Sequence, residues 1–217
     1  MGLNFRHGEA ASAMLLLLAP ALWNRFPFLQ YDSGGYLARW FEGYLVPSRS
    51  TVYGLFAVAG WRFDFWPVVM LQAAAAVWII ALVLRAYGFG ERRFALLATV
   101  AMLAVATSLS WLAGILLTDI FAGTSVLALH LVLFTPDKFR RSERVALFLF
   151  IAFATATHSA TFAVLVAIVA GAAVLHWRYR PLAGTSALRN GVGAIALGVA
   201  MLLTTNFALS GRLAWTP

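Results

Sequence analysis

The sequence predicts an all-α fold: a polytopic transmembrane helical bundle of about seven spans, with two juxtamembrane helices in its first outer loop. Three observations carry that expectation. The 217 residues are 62% hydrophobic and 11% charged, with a mean hydropathy of +0.84, whereas a soluble domain holds about 45–50% apolar and about 25% charged residues. Apolar runs long enough to cross, or nearly cross, a hydrocarbon core of about 30 Å recur at seven places. The basic residues gather in alternate connections between those runs. Composition thus excludes a disordered chain, a disulfide scaffold and an ordinary cytosolic enzyme. The absence of cysteine removes disulfides and thiolate metal sites.

The runs fall near residues 9–27, 65–86, 94–111, 113–134, 145–158, 159–177 and 191–209. Arg6 precedes the first as in a signal peptide, but Trp23-Asn24-Arg25 stands where a small-residue cleavage site belongs, so the run is a retained span. Pro20 and Pro67 interrupt the first and second runs. Val145–Trp177 is 33 residues of mostly apolar sequence, too long for one span and slightly short for two. The polar knot Thr155-Ala156-Thr157-His158-Ser159 is where the chain turns into a hairpin; one long tilted helix is the alternative. Small residues at Ala73–Ala76, Ala167–Ala173 and Gly191–Gly198 permit close helix packing. Gln72 and His130 are the main polar residues at mid-span.

Charge sets the orientation. With the N-terminus in the cytoplasm, the inner loops hold Arg6, Arg85, Arg92, Arg93, Lys138, Arg140, Arg141, Arg144, Arg178, Arg180 and Arg189, eleven of the sixteen basic residues. Arg25, Arg39, Arg49, Arg62 and Arg212 remain outside. Positive-inside bias then places the N-terminus inside and the C-terminus outside. This asymmetry accounts for the net charge of +8 without a nucleic-acid partner. Glu9, Glu91, Asp137 and Glu143 lie among inner basic residues, where solvated pairing explains them. Asp32, Glu42, Asp64 and Asp119 all fall outside, where few basic residues accompany them. Residues 1–217 read as a single membrane module, with chemistry expected on its outer face.

The first outer loop, residues 28–64, is too long for a simple connector. Large apolar residues at 36, 37, 40, 41, 44 and 45 mark one face of an amphipathic helix. Asp32 or Ser33 serves as its N-cap, and Val46-Pro47 ends it. Ser48-Arg49-Ser50-Thr51-Val52-Tyr53-Gly54-Leu55-Phe56, running into Ala57–Trp61, is too short to span and reads as a second interfacial or re-entrant helix. Arg62 and Asp64 return the chain to water.

These residues resemble the GT-C superfamily of membrane glycosyltransferases, among them the polyprenyl-phosphate-sugar-dependent protein mannosyltransferases and the aminoarabinose transferases. Tyr31-Asp32-Ser33-Gly34-Gly35-Tyr36 is similar to the family's loop motif, and Leu116-Leu117-Thr118-Asp119-Ile120-Phe121 to a second segment opening the fourth span. The Arg49–Phe56 stretch is similar to a third. The resemblance covers the N-terminal seven-span module only, because family members continue for several more spans. A fragment, a free-standing module and a degenerate relative stay open, and with them additional transmembrane helices or a partner subunit.

The resemblance implies a bacterial inner-membrane, cell-envelope enzyme. It would transfer a sugar from a polyprenyl-phosphate-linked donor to an acceptor at the extracytoplasmic face, with inversion. Asp32 matches the catalytic acidic position, where a carboxylate takes the acceptor's proton; capping the interfacial helix is its alternative role. Arg49 is the preferred ligand of the donor phosphate. Tyr36, Tyr53, Arg39 and His158 are further candidate substrate-binding residues, with headgroup contact or simple solvation as the alternatives for Arg39, Arg62 and His158. Asp119 orients the acceptor or shares a divalent cation with Asp32, although no His-x-x-x-His or dense carboxylate spacing supports a metal.

Two other functional classes find some support in the residues. Ser125 invites an intramembrane serine protease, but Val126 follows it and the Gly-x-Ser-Gly pattern is absent. A non-catalytic scaffold or a transporter of lipid-linked or small substrates is the main rival. It lacks the internal repeat and the polar mid-span residues a transporter uses.

Overall fold

The computed structural model describes residues 7–179 and 184–216. Arg6 and Arg180, assigned to the inner loops above, lie outside the described residues. Among the described residues the chain is helical, with no strand beyond one isolated backbone bridge. The helices are α1 (His7–Asn24), α2 (Tyr31–Phe41), α3 (Thr51–Val58), α4 (Trp66–Ala86), α5 (Ala95–Ala106), α6 (Leu109–Gly114), α7 (Asp119–Phe134), α8 (Arg141–Thr157), α9 (Ser159–Arg178) and α10 (Thr185–Ser210). Short 3-10 turns occupy Trp61–Phe63 and Pro136–Lys138.

Among the described residues three helices are long and apolar enough to cross a membrane: α4 with 21 residues, α9 with 20 and α10 with 26. At 1.5 Å per residue each spans about 30 Å or more. Helices also occupy the other expected runs, but α5 and α7 are shorter. Two expected boundaries shift. The run 94–111 breaks at Thr107, whose backbone is extended. Its hydroxyl donates to the Leu103 carbonyl and accepts the Leu109 N–H at 3.2 Å, closing α5 and opening α6 with one side chain. The run 113–134 is not one helix either; α6 ends at Gly114, residues 115–118 are non-helical, and α7 opens at Asp119. Pro67 interrupts nothing, because it sits in the first turn of α4, where a missing N–H costs no bond.

The chain forms two compact units, one of Met1–Leu37 with Phe56–Ile120, the other of Ala38–Leu55 with Phe121–Pro217. In the first, α1 packs on α4, α5 and α6. Gly114 allows the closest approach there, since a Cβ on it would stand 3.0 Å from the Ala21 Cβ. Glu9, expected to be solvated, instead accepts the Leu97 N–H at 3.2 Å and satisfies an open amide in the first turn of α5.

The second unit is an up-down bundle of α7 to α10, and side-chain pairs give its directions. The Phe121 ring lies 6.1 Å from Phe150 and 5.1 Å from Phe153, so the start of α7 meets the end of α8. Along α10, Gly193 faces Phe148, Gly198 faces Ala152 and Thr155, and Leu202 clusters with Ala156, so α10 runs parallel to α8. Gly191 faces Val169 while Phe162 meets Trp215, so α9 runs the opposite way. Buried positions Ala187, Gly191, Ala194, Ile195, Gly198, Leu202 and Asn206 form a single stripe on α10. The opposite side leaves Val192, Leu197 and Phe207 exposed, as a helix facing lipid does.

The hairpin expected in 145–177 is present. α8 and α9 are separate helices joined at His158, whose φ of −154° and ψ of 128° are extended. Thr155 and Thr157 direct their hydroxyls back to the Ile151 and Ala154 carbonyls, so the end of α8 keeps its polar groups paired.

The α8–α10 contact makes a sharp prediction. A Cβ on Gly198 would fall onto the Ala152 carbonyl oxygen and within 2.6 Å of the Thr155 Cβ. Gly198→Ala should therefore destabilise by about 1–3 kcal/mol, although alanine favours helix by up to about 1 kcal/mol. Gly193→Ala, whose Cβ would sit 3.4 Å from the Phe148 ring, should be neutral or stabilising. Thermal unfolding in detergent compares the two, and a Gly198→Ala protein at least as stable as wild type would contradict the packing.

Candidate functional site

The second unit carries a small polar cleft at the α8–α9 junction. Its first wall comes from the chain entering α3. Val46-Pro47-Ser48-Arg49 is a β-turn closed by the Arg49 N–H on the Val46 carbonyl at 3.2 Å. Pro47 occupies the second position, and Ser48 the third with a φ of 68°. Glycine or asparagine is usual at such a position, so a serine there carries backbone strain. The turn delivers Arg49 to the cleft.

Ser50 then caps α3, accepting the Tyr53 N–H at 3.2 Å while donating to the Ala156 carbonyl at 2.8 Å. Thr51 donates to the Asn206 side-chain oxygen at 2.7 Å, and the Asn206 amide donates to the Ala214 and Trp215 carbonyls at 2.8 and 3.2 Å. Asn206 is fully buried, so it ties α3, α10 and the segment after α10 together where water cannot substitute. The Trp215 ring packs on Phe162 at 4.9 Å.

The resulting cleft, about 100 Å³ in volume, is lined by Ser48, Arg49, Ser50, Thr157, His158 and Ser159 together with Trp215 and Thr216. That volume holds roughly three water-sized groups at about 30 Å³ each, the scale of one phosphate. None of the described lining residues is acidic. The start of α9 adds first-turn amides and the positive end of a helix dipole. Thr161, in that same turn, is buried with a hydroxyl that has no partner among the described residues. Arginine, histidine, hydroxyls and a helix start form a donor-rich, cationic concavity suited to an anion.

Arg49 and His158, two residues expected to contact phosphate, are brought together here although far apart in sequence. Tyr53 is not among the lining residues. It is fully buried, its ring edge-on to Phe121 at 6.3 Å, as part of the packing. Arg39 is exposed and donates to the Gly43 carbonyl at 2.9 Å, closing the end of α2. That helix stops at Phe41, not at Val46-Pro47, because Gly43 turns left-handed (φ 84°) and the Glu42 and Gly43 amides both bond to the Ala38 carbonyl.

Asp32, Tyr36 and Asp119 belong to the other unit, around the non-helical segment 115–118. Leu116, Leu117 and Thr118 are buried there, where extended backbone needs partners. Phe28 supplies two, its N–H bonding to the Gly114 carbonyl at 2.8 Å and its carbonyl accepting the Leu116 N–H at 3.0 Å. Gln72, one of the mid-span polar residues, donates to the Ile115 carbonyl at 2.9 Å. Ser33 donates to the Leu116 carbonyl at 2.8 Å, and the Tyr36 and Thr118 hydroxyls share a bond of 3.3 Å.

Asp32 and Asp119 are the sequence neighbours of these bonded residues. Asp119 is exposed at the first position of α7, and Asp32 is half-buried in the first turn of α2. Neither Asp32 nor Ser33 is the N-cap expected of α2, which begins one residue before Asp32. Ser33 contributes instead from inside the first turn, accepting the Gln30 N–H at 3.0 Å. No group of three or more His, Asp or Glu side chains converges among the described residues. Ser125 is buried and donates to the Ala122 carbonyl, three residues back on its own helix.

Sequence reasoning did not single out Ser50, Thr51, Asn206 or Trp215. The signal for Asn206 was its position inside the last apolar run, where an amide side chain needs a structural or functional reason. Asn206→Leu should orphan the Ala214 and Trp215 carbonyls and the Thr51 hydroxyl, at about 1–3 kcal/mol for each group that water does not reach. Hydrogen exchange of the peptide covering 211–216 should accelerate by about tenfold or more, 1.4 kcal/mol being a factor of ten. Unchanged exchange and unchanged thermal stability would contradict the tie.

No family model matches the chain, and no curated protein or solved structure shows detectable similarity to it.

Proposed function

We propose that the chain is a polytopic membrane protein acting as a GT-C-like glycosyltransferase module. In this reading it binds a polyprenyl-phosphate sugar at its extracytoplasmic face, and the cleft holding Arg49 and His158 takes the donor phosphate. One observation carries the reading: those two residues line the same small cavity together with three serine hydroxyls and the start of α9. An arginine guanidinium supplies a planar pair of N–H donors for phosphate oxygens. The exposed apolar sides of α9 and α10 offer the prenyl chain the same surface they offer lipid.

The chemistry assigned is one displacement. The acceptor oxygen attacks the anomeric carbon, and the bond from that carbon to the phosphate oxygen breaks. Polyprenyl phosphate leaves with the electron pair, and a general base takes the acceptor's proton. Attack opposite the leaving group inverts the configuration. Arg49 and His158 stabilise the charge that grows on the leaving phosphate. The role of Asp32 rests on the resemblance of Tyr31–Tyr36 to the family motif.

Native mass spectrometry of the detergent-purified chain with a panel of polyprenyl-phosphate sugars tests the reading. Wild type should bind saturably, and Arg49→Ala should weaken binding by about tenfold or more, since a charge-assisted hydrogen bond contributes about 1.5–3 kcal/mol. His158→Ala should weaken it less. Asp32→Asn should keep binding while abolishing transfer. Equal affinity of all four proteins for these donors and for ordinary anionic phospholipids would move the assignment to a scaffold or transporter.

A further inference from the structure

A second cleft lies at the other end of α8. Helix geometry puts the seventeen residues of Arg141–Thr157 at about 25 Å, so the two clefts mark opposite ends of the bundle. The second has a volume of about 350 Å³ and is formed where α7 passes through the Pro136–Lys138 turn into α8, with α10 alongside. Phe139, Val145, Leu147 and Phe148 make it largely apolar, while Arg141, Arg144 and Asn190 are its polar lining. We propose that this cleft binds the phosphate-bearing head and upper acyl carbons of an anionic glycerophospholipid.

Charge placement is the first argument. Arg141 and Arg144 sit in the first turn of α8, at the positive end of its dipole, where cations are disfavoured and anions preferred. Three residues apart, they share one face of the helix. The acid of that turn is committed elsewhere: the Glu143 carboxylate accepts the Arg140 N–H at 2.9 Å in a capping box. Residues 137–144 hold four basic side chains against two acidic ones. A phosphate bridging the two guanidinium groups offsets both their mutual repulsion and their conflict with the dipole.

Shape is the second. The volume accommodates roughly a dozen water-sized groups at about 30 Å³ each, too few for a whole lipid but enough for a glycerophosphate and the first carbons of a chain. Phe139 is buried, and Phe148 packs toward Gly193 of α10, so the apolar wall is already formed. The arginines Arg92 and Arg93 make an instructive contrast. Each guanidinium lies 4.8 Å over a neighbouring ring, Phe89 for one and Phe94 for the other, in a cation–π contact.

The test uses the full chain in detergent and native mass spectrometry with phosphatidylglycerol, phosphatidylcholine and inorganic phosphate as separate probes. Wild type should retain one phosphatidylglycerol at least about tenfold more tightly than phosphatidylcholine, taking about 1 kcal/mol for each arginine near the head group. R141Q/R144Q should lose that preference, R141K/R144K should keep most of it, and R92Q/R93Q should leave it intact. Thermal unfolding checks that each variant is folded; if the double glutamine variant is not, R144Q alone should show an intermediate loss. Equal loss in R92Q/R93Q, or an undiminished preference in folded R141Q/R144Q, overturns the site. Retention of inorganic phosphate as strong as that of phosphatidylglycerol overturns the lipid and leaves a phosphate site. Binding of the polyprenyl-phosphate sugar should be unaffected in R141Q/R144Q, and phosphatidylglycerol binding unaffected in Arg49→Ala, so failure of either assignment leaves the other standing.

Discussion

A backbone amide or carbonyl surrounded by hydrocarbon and side chains has no water to fall back on, so wherever this chain leaves the helix another part of it must answer. That requirement organises the structure. In the first unit the non-helical residues 115–118 are answered by the Phe28 backbone and by Gln72 and Ser33 side chains. In the second, the ends of α8 and α3 are tied by Ser50, and Asn206 holds the segment after α10. Polar residues in an otherwise apolar sequence are therefore concentrated where helices stop. The concave, donor-rich surfaces form at the same places, because a stopped helix exposes its terminal amides.

Much of this was legible in the sequence, and the reason is periodicity and length. Long apolar runs with few charges favour helix, which is why α4 and α9 fall within a residue of their expected bounds, while α10 begins six residues before the expected 191. The turn at His158 was legible for a related reason: a cluster of threonines, histidine and serine in an apolar stretch marks a place where side chains compete for backbone groups. Arg49, named from the family resemblance, and His158, named from the polar turn, line one cleft.

What stayed hidden depends on partners far away in sequence. Nothing local in Ala113-Gly114-Ile115-Leu116 announces a break; the extended backbone exists because Phe28 and Gln72 supply the bonds that a helix would otherwise make internally. Glu9 looked like a solvated surface acid, yet its acceptor role is set by an amide eighty-eight residues later. The early end of α2 follows from the left-handed Gly43, an interruption outweighed on sequence alone by the continuing apolar stripe through Leu45. Tyr53, expected among the substrate-binding residues, is buried with its ring edge-on to Phe121, a partner far away in sequence.

The proposed donor site can be tested at the cleft itself, because a chain without cysteine gives a clean background for a single reporter thiol. Ser159→Cys places one at the lining of the Arg49–His158 cleft, and Ser142→Cys places another near the opposite end of α8. The decisive measurement is the rate of maleimide labelling at each thiol in the presence of a short-chain prenyl phosphate or the corresponding prenyl alcohol. Saturable protection of Ser159→Cys by the phosphate, with none from the alcohol and none at Ser142→Cys, is the predicted result. Labelling at Ser159→Cys that the phosphate leaves unchanged, or that phosphate and alcohol slow equally, would contradict a phosphate site in this cleft.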